Sequence, residues 1–166
     1  MKTLIRTLLL LSLIVWLGAE IFFPVVAAIA FGQLVPDTHT AGLIVGALLH
    51  ILHTMGLVCG VVLLALLALA PAWGIFQSRS VLAPMVLVVI MLALTAYSQY
   101  GIIPAMERDR IAAGGVIDDS AQDNPARIDF NRLHRRSTNV EGLIVLLGIA
   151  TVSCVAAAES TAIKRI

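Results

Sequence analysis

The chain has 166 residues, of which 60% are hydrophobic and 13% charged, with a net charge of +1 and a mean hydropathy of +0.99. A soluble domain carries roughly twice that charged fraction, and a nucleic-acid binder carries a basic excess, so the composition excludes both and predicts an all-α polytopic membrane protein. The length allows one domain over residues 1–166 and no large extramembrane module.

Apolar runs predict a bundle of four membrane-crossing helices at about 7–32, 41–70, 81–103 and 125–158, the last apolar only from 138. Each run reaches the ~20 residues that span a bilayer core. The first two are longer, so they tilt or project. The N-terminus imitates a signal peptide, with Lys2 and Arg6 before a leucine-rich run and small residues at 27–30. That run is too long for a signal core, so a retained first helix is expected. Glu20 lies in the middle of this helix, within "WLGAEIFFP". An ionisable group there costs a few kcal/mol. It is either a protonated core residue bonded to a neighbouring helix, or a group that serves a ligand or a proton. Pro24, one turn on, frees a backbone carbonyl. Pro36 and Asp37 then break the chain.

On the second helix, Gly42 with Gly46 and Gly56 with Gly60 repeat at four-residue spacing, which lets helices approach closely. His50 and His53, in "HILHTMG", leave one face because three residues are nearly a full turn. They are either neutral histidines bonded to backbone or hydroxyl partners, or a ligand pair for a transition metal, a haem or another tetrapyrrole. Cys59 and Cys154 fall in apolar runs and read as free, inert thiols. Pro71, Trp73 and Gly74 end the helix, with Trp73 at interfacial depth.

The third helix carries Pro84 in its first turn, where a missing donor is harmless. Its last stretch, "TAYSQYGIIP", reads as an interfacial girdle of Tyr97 and Tyr100, with Gln99 able to point inward and Pro104 ending the helix. Residues 104–124 form the extramembrane connection, flexible over 111–124. Asn124 as N-cap and Pro125 at the first position open the fourth helix about 12 residues before the membrane. Along "FNRLHRRSTNVEG", Arg127, His134, Ser137, Thr138 and Glu141 fall near one face, while Arg132, Arg135 and Arg136 meet lipid headgroups. Apolar helix follows Glu141 at once.

Lys2, Arg6, Arg79, Lys164 and Arg165 share one side, which puts both termini in the cytoplasm and the 104–137 connection outside. A multi-pass protein of a bacterial inner membrane is expected. Registered from its Trp73 end, the second helix brings His50 close to the outer boundary, and a pocket lined by His50, His53, His134, Glu141 and Glu20 becomes geometrically possible. Registered from Ala41, the two histidines sink toward the midplane and His134 is too far away to share a ligand. Both registers remain open at this level.

"WLGAEIFFPVVAAIAF", "LLHILHTMG", "YGIIPAMERDR" and "FNRLHRRSTN", in that order, cover most of the chain. Together they resemble the transmembrane protein 205-like family of small four-helix membrane proteins, much of it a domain of unknown function. The most specific pieces are Pro104 with Arg108 or Arg110 downstream, and Phe130, Leu133, His134 and Ser137 as F-x-x-L-H-x-x-S. His53 matches the family's second-helix histidine better than His50 does. The chain departs from the family where Ala27 and Ala28 stand in place of a proline, and where an asparagine sits early, at Asn139. The resemblance implies a four-helix bundle and no reaction. The association of the family's animal members with platinum-drug resistance implies soft-metal handling.

Two functions follow as expectations. One is a metal ion or tetrapyrrole held by His50, His53 and His134, with Glu20 and Glu141 as further metal ligands. The other is a non-catalytic accessory subunit, its partners the lipid bilayer and other membrane subunits or a homo-oligomer. The absence of a nucleophile–base pair, a phosphate loop and a broken-helix pair argues against an enzyme or a transporter.

Overall fold

The computed structural model describes residues 2–34 and 37–163, so Pro36, Lys164 and Arg165 lie outside the described residues. Helix α1 (Lys2–Ile29) ends in a π-helical turn at Ala30–Leu34, and α2 (Thr38–Leu69) returns beside it. Helix α3 (Leu82–Tyr97) passes through a second π-helical turn, Ser98–Ile102, into α4 (Ile103–Ala112). Helix α5 (Pro125–Ile163) is the longest. Among the described residues four stretches are long and apolar enough to cross a membrane. The chain is thus a multi-pass, all-α membrane protein, and α1 packs on α2, α2 on α3, α3 on α5, and α5 back on α1.

One buried stripe per helix closes the bundle. Ile5, Leu9, Leu13, Trp16 and Glu20 line it on α1, and His53, Gly56, Gly60, Leu63 and Leu67 on α2. Val88, Met91 and Thr95 do so on α3, and Ile144, Thr151, Val155 and Ala158 on α5. Steps of three and four residues keep each set on one face. Most other apolar side chains point outward, to lipid, as Leu4, Ile14, Phe22, Ile51 and Val58 do.

The glycine pairs behave differently from each other. A Cβ on Gly56 would lie 2.5 Å from the Trp16 Nε1, and one on Gly60 would lie 2.6 Å from Trp16 Cζ3. Gly56 and Gly60 are therefore the floor of a slot that holds the Trp16 indole. Gly46 has open space beside it, and Gly42 meets only the Phe31 ring tip at 4.0 Å. The expected close approach is real at one pair alone.

Pro104 does not end the third helix. Its ring would clash with the carbonyl four residues back in a regular α-helix. The π turn before it widens the ladder, with the Ile103 N–H reaching the Ser98 carbonyl, and helix resumes as α4. The following segment carries hydrogen bonds of its own. Gly114 and Gly115 turn it with φ of 98° and 95°. Arg110 donates to the Gly115 carbonyl, Arg127 to those of Asp118 and Ser120, and Thr38 at the start of α2 donates to the Asp118 carboxylate. Asn124 caps α5 as expected, accepting from the Ala126 N–H at 2.9 Å.

Candidate functional site

The four stripes turn polar at one level, just beyond the Trp16 slot. On α2, His53 is fully buried, and both of its ring nitrogens have partners. Nδ1 lies 3.0 Å from Gln99 Oε1, and Nε2 lies 2.9 Å from Glu141 Oε1. The Ser98 hydroxyl donates to the same Glu141 oxygen at 2.9 Å, while Glu141 Oε2 is buried without a hydrogen-bond partner. On α1, Glu20 is 2% exposed and accepts from the Trp16 indole N–H at 3.3 Å. Glu20 also interacts electrostatically with both Glu141 and His53. Ser98 and Gln99 follow the buried Thr95 by three and four residues, so both continue its inward face into the π turn.

His50 joins from the side. It is exposed on the outer face of α2, yet Gln99 Nε2 lies 2.6 Å from its Nδ1. One buried amide therefore bridges two imidazoles, one open and one closed off.

The depth of the layer follows from the opposite end of the bundle. There Lys2 Nζ donates to the Gly74 carbonyl at 3.2 Å, and Arg6 pairs with Glu159 at 3.2 Å. Glu141 lies 18 residues before Glu159, about 27 Å along the axis. In a core ~30 Å thick, the polar layer sits near the far boundary. This agrees with the register counted from the Trp73 end of α2.

Of the residues singled out from the sequence, Glu20, His53 and Glu141 come together, and His50 is tied to them through Gln99. His134 does not join them. It stands seven residues before Glu141, about 10 Å along α5, exposed and stacked on Phe130 with ring centroids 6.5 Å apart. Among the described residues, no three His, Cys, Asp or Glu side chains form a group that could hold a metal ion. The expected five-ligand set is thus not assembled in this geometry, and His53 has no free nitrogen to offer.

Gln99, Ser98 and Trp16 are the residues that sequence reasoning did not place in the site. The signal for Trp16 was its four-residue step to Glu20. For Ser98 and Gln99 the signal was a polar pair just before a proline, which pointed instead to an interfacial girdle. Tyr97 and Tyr100 do have that exposed position, and the Tyr97 hydroxyl accepts from Arg136 at 3.2 Å.

No curated protein and no solved structure matches the chain. One family model matches, over residues 11–110, which takes in Glu20, His50, His53 and Gln99 but stops short of Glu141 and the Phe130–Ser137 motif. With more than half of its length matched, the chain belongs to the family described as a domain of unknown function, DUF4149.

Proposed function

We propose that this is a non-catalytic membrane protein whose buried polar layer takes up and releases a proton. The single observation that carries this reading is the fully buried His53, set 2.9 Å from Glu141 with Glu20 close by. With His53 neutral and both carboxylates ionised, the layer would carry a charge of about −2, which is costly at membrane depth. Two added protons neutralise it, and three groups can hold them. A proton can therefore move among Glu20, His53 and Glu141 at no cost in net charge.

A metal ion or tetrapyrrole held by His50, His53 and His134 has less support, since His53 is already satisfied on both nitrogens and His134 stands apart. The accessory-subunit reading is compatible with a proton site. It draws support from a groove of about 820 Å³ between α1 and α5, lined by Leu10, Ile14, Ile21, Val152 and Ala156, which suits a helix of another subunit or a second copy. Kinship with the transmembrane protein 205-like family belongs to the same proposal and rests on the sequence motifs. So does a bacterial inner-membrane location with cytoplasmic termini, supported by Lys2, Arg6 and Arg79 at one end.

The test is infrared difference spectroscopy across the neutral pH range on the full chain in lipid nanodiscs, with Glu20→Gln and Glu141→Gln beside the wild type. A protonated-carboxyl band that titrates, and that one of the two variants removes, is the expected result. A wild type with no titrating carboxyl band refutes the reading. A Soret band or stoichiometric metal in protein taken from its native membrane would restore the ligand reading.

A further inference from the structure

The Gln99 side chain is 5% exposed and has one accepting oxygen and one donating nitrogen. Its oxygen lies 3.0 Å from Nδ1 of His53, and its nitrogen lies 2.6 Å from Nδ1 of His50 and 3.5 Å from that ring's Nε2. We propose that Gln99 makes double protonation of His50 and His53 mutually exclusive, so that the open histidine regulates the buried site. This inference rests on the reading of that layer as a proton site.

The bonding alone sets the rule. With the amide as found, its nitrogen donates to His50 Nδ1, so that atom carries no proton. Its oxygen accepts from His53 Nδ1–H. Glu141 Oε1 already accepts from Ser98 and also faces His53 Nε2. When Nε2 donates as well, His53 is an imidazolium paired with a carboxylate. A proton added at His50 Nδ1 turns that atom into a donor. The amide then rotates half a turn, its oxygen accepting from His50 and its nitrogen donating to His53 Nδ1. That atom has by then released its proton, to Glu141, Glu20 or water. The two histidines together keep the same number of protons, with one gained at His50 and one lost at His53. If both Nδ1 atoms carried protons, one N–H would face the amide N–H, a mismatch that burial of the Gln99 side chain makes costly.

Glu20 on α1 acts on His53 electrostatically and Glu141 on α5 faces its Nε2, while the Trp16 indole bonds Glu20 and the Ser98 hydroxyl bonds Glu141. None of them links it to His50. His50 looks outward into a shallow groove with Ile51, Thr54, Met55, Val58 and Cys59, so Gln99 is its inward partner. The exclusion holds for either orientation of the amide, because each has one acceptor and one donor.

The experiment is ¹⁵N-histidine NMR of the full chain in nanodiscs across pH, which reads the proton on each ring nitrogen directly. In the wild type, His50 should gain its second proton as His53 loses one, and the two should never be imidazolium together. Gln99→Met should uncouple them, so that both rings reach imidazolium together. Both histidines reaching imidazolium together in the wild type, or unchanged curves in Gln99→Met, overturn the inference. His50→Leu is the second variant, should Gln99→Met fail to fold. It leaves the amide free to keep its oxygen on His53, so His53 should hold its proton over the range where the wild type loses it. A His53 curve that ignores this substitution also overturns the inference. A titrating carboxyl band alongside uncoupled histidines would refute the Gln99 switch alone, whereas loss of that band would remove the proton site itself.

Discussion

Gly56 offers the most direct test of how the polar layer is held, because its substitution strikes the Trp16 indole and leaves every ionisable group in place. In Gly56→Ala the new methyl would lie 2.5 Å from Trp16 Nε1, 3.0 Å from Cδ1 and 3.1 Å from Cε2. The indole is rigid and fully buried, with Gly60 and Leu92 closing its other end. It cannot bend away as a leucine would, so the helices must part or the ring must shift. Overpacking of this kind costs about 1–3 kcal/mol. A shift of Nε1 also weakens its 3.3 Å bond to Glu20, a loss of about 1 kcal/mol. The better helix propensity of alanine returns up to about 1 kcal/mol, so the net expectation is a loss of about 1–3 kcal/mol. Gly46→Ala is the control on the same helix. Nothing lies within 4 Å of its added methyl, so it should be neutral or mildly stabilising. The assay is thermal unfolding in detergent, with emission recorded in a Trp73→Phe background so that Trp16 alone reports. If Gly56→Ala and Gly46→Ala melt together with unchanged emission, the glycine slot is not what seats the indole, and the account of how Glu20 is oriented fails with it.

Two further outcomes are expected. His134→Ala should leave the His53 ring resonances where they are and change stability by no more than about 0.5 kcal/mol, because His134 packs on Phe130 outside the layer; displaced His53 resonances would return His134 to the site. At the start of α2, the Thr40 backbone N–H, 2.7 Å from the carboxylate, holds Asp37 below the usual carboxylate range. A carboxyl lowered on folding contributes stability above its unfolded pKa, near 3.9, and loses that contribution as pH falls through the folded value. Protection of the Thr40 amide, taken against its intrinsic exchange rate at each pH, should therefore fall in acid in the wild type and stay level in Asp37→Asn, which caps without titrating. Identical acid profiles for the two would refute the assignment.

Most of the bundle was legible in the sequence because each crossing needs an unbroken apolar run of ~20 residues. Glu20 continues the stripe of Ile5, Leu9, Leu13 and Trp16 by a four-residue step, and that spacing alone turns it inward. Asn124 and Pro125 marked the start of α5 through capping chemistry that is purely local. The rest depended on geometry between helices. Gly42 with Gly46 and Gly56 with Gly60 have the same spacing, and only the position of Trp16 on a neighbouring helix distinguishes them. His134 lies on the same broad face of α5 as Glu141, and only the depth of the bundle separates them. The π turn at Ser98–Ile102 was hidden for a different reason. Pro104 carries the ordinary signature of a helix end, and the alternative, a helix that widens for five residues and continues, leaves no compositional trace.

The two prolines divide the site into a fixed half and an adjustable half. His53 and Glu141 stand on α2 and α5, which run 32 and 39 residues with no proline in their interiors. Glu20 and Gln99 stand on the interrupted helices. Pro24 removes the N–H that the Glu20 carbonyl would accept, and Pro104 follows Gln99 by five residues, across the widened π turn. Backbone bonds are therefore interrupted beside Glu20 and beside the amide that rotates in the proposed switch, and continuous beside the histidine–carboxylate pair. A site that exchanges a proton needs one pair held at constant distance while its neighbours change partners. This sequence meets that need by placing the helix-breaking residue within α1 and at the start of α4, and leaving α2 and α5 whole.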